Sequence, residues 1–135
     1  SLVAVGLGQH FGQRVAFGKP LIKLGGNAER IAQARLMIDQ ARLLTLNAAW
    51  KIDTEGVKNA MTEISAIKVV VPNMLQNVAD MAIQMHGGAG VSHDYPLSMF
   101  AAGARMLRLA DGPDEVHLNM VSRLEIAKHL ESERR

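Results

Sequence analysis

The chain has 135 residues, 48% of them hydrophobic, which is enough for one domain with a real core. Fifteen Lys and Arg against thirteen Asp and Glu leave a net charge of +2. Those basic residues are scattered, and three Phe, one Trp and one Tyr supply little base-stacking surface, so nucleic-acid binding is not expected. The absence of cysteine excludes disulfides, zinc thiolates and thiol catalysis, and no apolar run approaches the roughly 20 residues that span a bilayer.

From Leu2 to Ala16 the apolar residues Leu2, Val3, Val5, Leu7, Phe11 and Val15 suggest a helix. Gly6, Gly8 and Gly12 weaken it by about 1 kcal/mol each. Phe17-Gly18-Lys19-Pro20 breaks the chain, and Gly25-Gly26 breaks it again before Asn27, which reads as an N-cap. Asn27 to about Asp53 is predicted as a long helix, with Ile31, Ala34, Ile38, Ala41, Thr45, Ala48 and Ile52 on one face. A helix of that length needs neighbours of similar length beside it.

Thr54-Glu55-Gly56 is a turn, and Lys58 to about His86 supplies the next helix, with Met61, Ile64, Ile67, Val71, Leu75, Val78, Ala82 and Met85 inward. Val69-Val70-Val71 before Pro72 offers a local strand alternative, but the helical period resumes in phase beyond the proline, which favours a helix kinked or loosened there. Gly87-Gly88-Ala89-Gly90 ends it. Pro96 starts a short helix over Leu97 to Leu109, and Pro113-Asp114-Glu115 opens the last helix, which frays from Glu131 onward. The expectation is an all-α, antiparallel four-helix-type bundle with an additional N-terminal helical segment, one domain over residues 1–135.

Two glycine-containing breaks flank the short helix, so backbone amides at Gly87-Gly88 and carboxylates at Asp111 could converge on one ligand. One glycine would satisfy a helix C-cap, and three in four residues suggest that something approaches the backbone closely. The run follows a helix and lacks the Lys-Ser/Thr of a phosphate loop, so it is neither a Walker nor a Rossmann motif. Asp111-Gly112-Pro113 has a plain reading too, as a turn and cap. His10, His86, His93, His117 and His129 show no metal-ligand spacing, and the eight methionines read as packing.

Arg14 to Leu21, Gln84 to Gly90 and Ala110 to Val116 together, in this order and separation, resemble the C-terminal helical domain of acyl-CoA dehydrogenases. The likeness is greatest to the branch whose last motif reads Ala-Asp-Gly-Pro-Asp-Glu-Val-His. The resemblance implies a longer parent protein in which helical, β and helical domains hold FAD and an acyl-CoA thioester, with this chain the last of the three. It implies that Arg14 and Phe17 contact the FAD of a neighbouring subunit and that Gln84, Met85, Gly87 and Gly88 approach that same FAD. Asp111 stands where the commoner Tyr-Glu-Gly-Thr motif has its catalytic glutamate. The implied chemistry is α,β-dehydrogenation, with a carboxylate taking the α-proton and the flavin accepting the β-hydride.

The implied partners are an acyl-CoA substrate, further copies of the chain in a homo-dimer or homo-tetramer, and an electron acceptor such as electron-transfer flavoprotein. The implied location is intracellular, cytoplasmic in a bacterium and mitochondrial or peroxisomal in a eukaryote. The chain alone is expected to be inactive. Departures from the commoner pattern are Asp111 for Glu, Ala110 for Tyr, Pro113 and Glu115 at positions that often hydrogen-bond FAD, and Leu24-Gly25 for His-Gln. The first two together imply a substrate branched or substituted near its α or β carbon. The rival from another class is a non-catalytic helical oligomerisation module.

Overall fold

Alanine at heptad spacing sets how closely the two longest helices approach. Ala34, Ala41 and Ala48 are the buried residues of α1 (Asn27–Glu55), each at most 2% exposed. With no side chain beyond Cβ on that face, α2 (Met61–His86) can pack closely along it. The computed structural model describes residues 12–133.

The two helices are antiparallel. Ile31 near the start of α1 packs on the cluster of Ala82, Met85 and Leu97, while Lys51 near its end pairs with Glu63 at 2.8 Å. α3 (Leu97–Leu107) and α4 (Asp114–Ser132) also pack on α2, so α2 is the helix that every other described helix touches. Leu97 meets Met85 and Lys68 Nζ donates to Leu107 O, so α3 runs antiparallel along most of α2. Asp114 bonds Asn73, which places the start of α4 over the middle of α2. The α3–α4 turn therefore lies where α2 carries Pro72.

The all-α fold expected from periodicity is present, with three long helices, one short one and short connections among the described residues. α2 runs without a break from Met61 to His86, through both the valine patch and Pro72. Pro72 cannot supply the N–H that would bond Lys68 O. The next residue helps hold the turn, since Asn73 Nδ2 donates to Val69 O at 2.8 Å. Helix wins over strand because Pro72 is buried and the residues beyond it, Val78, Ala79 and Ala82, continue the packed face.

Three local expectations are corrected. Asn27 is the first residue of α1 and not its cap: Gly26 stands there with φ 64°, and the Asn27 amide donates to Leu21 O at 2.8 Å, tying the helix start to the preceding 3-10 turn, Leu21–Lys23. The residues before Phe17 do not stay helical. Val15–Ala16 (β1) pairs antiparallel with Lys19–Pro20 (β2) across a two-residue turn in which Phe17 and Gly18 have φ 52° and 74°. Positive φ at both turn residues matches the twist of a hairpin, and strands of two residues carry no readable period. Gly87–Val91 is a 3-10 turn, not an open break. The rest of the expected N-terminal helical segment, from Leu2 to Phe11, lies outside the described residues.

Candidate functional site

α3 stops because its last turn tightens and the chain then reverses. Leu109 N–H and Ala110 N–H both reach back to Met106 O, and Asp111 and Gly112 follow with φ 53° and 100°. Pro113 fixes the entry to α4 at Asp114. Gly112 is required by its φ, which disfavours any L side chain; a Cβ there would also crowd the His117 ring, with Nε2 at 3.0 Å. Asp111 stands in the left-handed region too, a conformation that Asp adopts more readily than most non-glycine residues.

The turn presents the Asp111 side chain outward. It is exposed, and no hydrogen bond or ion pair among the described residues engages its carboxylate. Its backbone is held instead, with Asp111 O 3.3 Å from His117 Nε2. Beside it lies a broad groove of about 530 Å³, open to solvent, whose floor is chiefly Ile64, Ile67, Val71 and Leu107. An apolar groove of that size has room for an alkyl chain. A free carboxylate on its lining is a group that can take a proton from what the groove holds.

The neighbouring carboxylate has a different job. Asp114 is 7% exposed, and its Oδ2 accepts from Arg108 Nε at 2.7 Å and from Asn73 Nδ2 at 3.0 Å. Arg108 Nη1 also donates to Gln76 Oε1 at 3.0 Å, so one guanidinium joins α3, α2 and α4. The Asn73 hydrogen bond, with the Arg108 guanidinium behind it, holds the Asp114 carboxyl below its ordinary range against the opposing effect of burial. Asp114 is thus a fixed anion that anchors the turn, and Asp111 is the unencumbered one. The sequence marks Asp114 only as a helix-start acid; Arg108, Asn73 and Gln76 become its partners only once the helices are packed.

The glycine run lies elsewhere. From the middle of α2, where the Asp111 turn packs, to Gly87 is on the order of 20 Å at 1.5 Å per residue. The expected convergence of the two breaks on one small ligand is therefore not found, because α3 lies lengthwise on α2 and holds its ends apart. Arg14 does reach this end: its Nη1 donates to His86 O at 3.1 Å, which brings the hairpin segment to the end of α2. Phe17, at the tip of that hairpin, is 96% exposed. Gln84 is exposed on the last turn of α2, whereas the Met85 side chain, 8% exposed, is committed to the core cluster.

The glycines at this end differ in why they are glycine. A Cβ on Gly90 would sit 2.6 Å from Ile83 O and 2.9 Å from Ile83 Cα, so Gly90 is needed for the chain to fold back on α2. Gly87 needs its φ of 62°. Gly88 has neither reason, since nothing lies within 4 Å of the Cβ position and its φ is ordinary. Gly90→Ala should therefore lower stability by about 1–3 kcal/mol, while Gly88→Ala should leave the melting temperature unchanged. Melting curves of the two variants check this; equal stability losses would show that Gly88 is structural.

The chain thus carries two separate surfaces, an apolar groove with a free carboxylate and an open glycine corner flanked by an arginine and an exposed phenylalanine. Residues 4–125 match the family model of the acyl-CoA dehydrogenase C-terminal domain. The chain belongs to the acyl-CoA dehydrogenase family.

Acyl-CoA dehydrogenase family member 11 of Rattus norvegicus is 54% identical over 114 residues, 84% of this chain and 15% of that protein. A solved acyl-CoA dehydrogenase-like structure from Mycobacterium abscessus is 55% identical, with a TM-score of 0.92 over 95% of this chain and 31% of that one. Butyryl-CoA dehydrogenase of Megasphaera elsdenii is 28% identical, with a TM-score of 0.84 over 92% of this chain and 32% of that one. The chain spans less than a third of the length of these relatives. The match falls on the C-terminal domain of that family.

Proposed function

We propose that the parent protein is an FAD-dependent acyl-CoA dehydrogenase and that Asp111 is the base that removes the α-proton of the bound thioester. The observation that carries the reading is Asp111 itself: an exposed carboxylate without a partner among the described residues, on the lining of an apolar groove of about 530 Å³. The α-proton passes to the Asp111 carboxylate, the electron pair left on the α carbon forms the new double bond, and the β-hydrogen departs with its two electrons. FAD, when bound, supplies the acceptor for that hydride.

The residues at the other end fit a flavin from a neighbouring subunit. Arg14 offers a cation next to the glycine run, the space over Gly88 is open among the described residues, and the ring of Phe17 is 96% exposed. Separation of this corner from Asp111 supports two different flavins per chain, one served by the carboxylate and one by the glycine corner. Leu36, Leu43 and Trp50 form a second heptad stripe on α1 that is more than half exposed, which supports a homo-dimer or homo-tetramer built on this domain. Electrons leave the reduced flavin for a protein acceptor such as electron-transfer flavoprotein.

The test is anaerobic mixing of the flavin-loaded parent protein with a panel of acyl-CoAs. Some thioester should bleach the flavin absorbance. Among them, chains substituted at the α or β carbon should react faster than straight ones, because Asp111 is one methylene shorter than Glu and Ala110 leaves room beside it. A clear preference for straight chains would count against the substrate reading. Flavin that binds and is reduced by no thioester would favour the assembly module.

A further inference from the structure

The Asp111 turn has to be rigid for its carboxylate to meet one α-hydrogen, yet two of its residues stand at positive φ and the Asp111 side chain makes no bond that would hold it. What holds the turn comes from α2. Lys68 Nζ lies 2.7 Å from Leu107 O and 3.2 Å from Gly112 O, donating to the carbonyl that ends α3 and to the carbonyl just past Asp111. The two carbonyls bracket the reversal. A lysine at this place interrupts the Ile64, Ile67, Val71 floor, so its stem lines the groove while its ammonium crosses to the turn. A cation at the C-terminal end of α3 also meets the negative end of that helix dipole.

We propose that Lys68 is the positioning residue for Asp111, bridging Leu107 O and Gly112 O so that the carboxylate is aimed at the thioester α carbon. The proposal rests on Asp111 being the base. The Lys68 ammonium also favours the ionised Asp114 of the Arg108–Asp114 pair that anchors the start of α4, but its hydrogen bonds fall on both sides of Asp111 itself. Loss of the bridge lets the backbone relax from its positive-φ reversal, and the carboxylate then samples orientations that miss the substrate.

The experiment compares wild type, Lys68→Met, Lys68→Arg and Asp111→Asn in the flavin-loaded parent protein. Met keeps the length and apolar stem without the donor; Arg restores a cation with several N–H groups. Lys68→Met should slow flavin reduction at saturating thioester by about 10- to 100-fold, the scale of a small misplacement of a reacting group. Binding of an unreactive thioether analogue and flavin content should stay as in wild type. Lys68→Arg should recover most of the rate. Amide hydrogen exchange of the peptide covering residues 107–113 should be faster in Lys68→Met and near normal in Lys68→Arg.

An unchanged reduction rate in Lys68→Met overturns the proposal. So does a rate loss that comes with equal losses of flavin content and analogue binding, or one that Lys68→Arg does not relieve, since those are the marks of a merely structural lysine. If wild type is reduced by no acyl-CoA, or Asp111→Asn reacts normally, the underlying assignment of Asp111 has failed instead.

Discussion

Asp111→Asn should lower the rate of flavin reduction by at least the roughly 10²–10⁴-fold that a positioned general base contributes, with the flavin still bound and the fold intact. The substitution removes the proton-accepting charge and little else. The Asp111 side chain has no partner to lose, and Asn tolerates the left-handed backbone as well as Asp does. Stability should stay within about 0.5 kcal/mol of wild type. Stopped-flow absorbance at saturating thioester, with a melting curve on the same sample, separates the two quantities. A fall in rate that tracked a fall in melting temperature would mean that the residue supports structure and not chemistry.

The second large effect is on stability. Arg108→Met leaves the Asp114 carboxylate 7% exposed with only the Asn73 amide to satisfy it, and releases Gln76. Removing one partner of a fully buried pair costs about 3–5 kcal/mol, and because the Arg108 side chain retains 31% exposure here the expected loss is nearer about 2–3 kcal/mol. The pair also sets acid sensitivity. The Asp114 carboxyl is held below its ordinary 3.8 in the folded protein, so it adds stability above that value and loses the contribution as pH falls through the lower folded value. In Arg108→Met the depression is smaller, so acid unfolding should begin at higher pH. Denaturant melts between about pH 3 and 7 check both; an unaltered acid limb would mean that the Asn73 hydrogen bond alone carries the shift.

Much of this could be read from the chain because its helices are long. Ile31, Ala34, Ile38, Ala41, Ala48 and Ile52 keep one face over many turns, and such a face has only one way to be buried. The Val69–Pro72 stretch is ambiguous in sequence and resolved only by burial, since helical period on both sides outweighs local β preference once a packed face exists. The hairpin at Val15–Pro20 carries no period at all, and its turn is signalled only by Phe17-Gly18.

Asp111 is legible by resemblance, and its isolation from hydrogen-bond partners is a fact of geometry alone. Lys68, Asn73 and Gln76 were out of reach for a physical reason: each is an ordinary polar residue on a helix, and its partners lie about 40 residues away on another. The same limit misled the expectation that two glycine breaks flanking one helix share a ligand. Closeness in sequence is converted by α3 into separation along α2.

If Asp111 takes the α-proton, an α-deuterated acyl-CoA incubated anaerobically with the flavin-loaded parent protein in ordinary water loses its label. Washout of the α-deuterium is expected with wild type, and none above background with Asp111→Asn. Washout at the same rate from both proteins would contradict this and place the base on another residue.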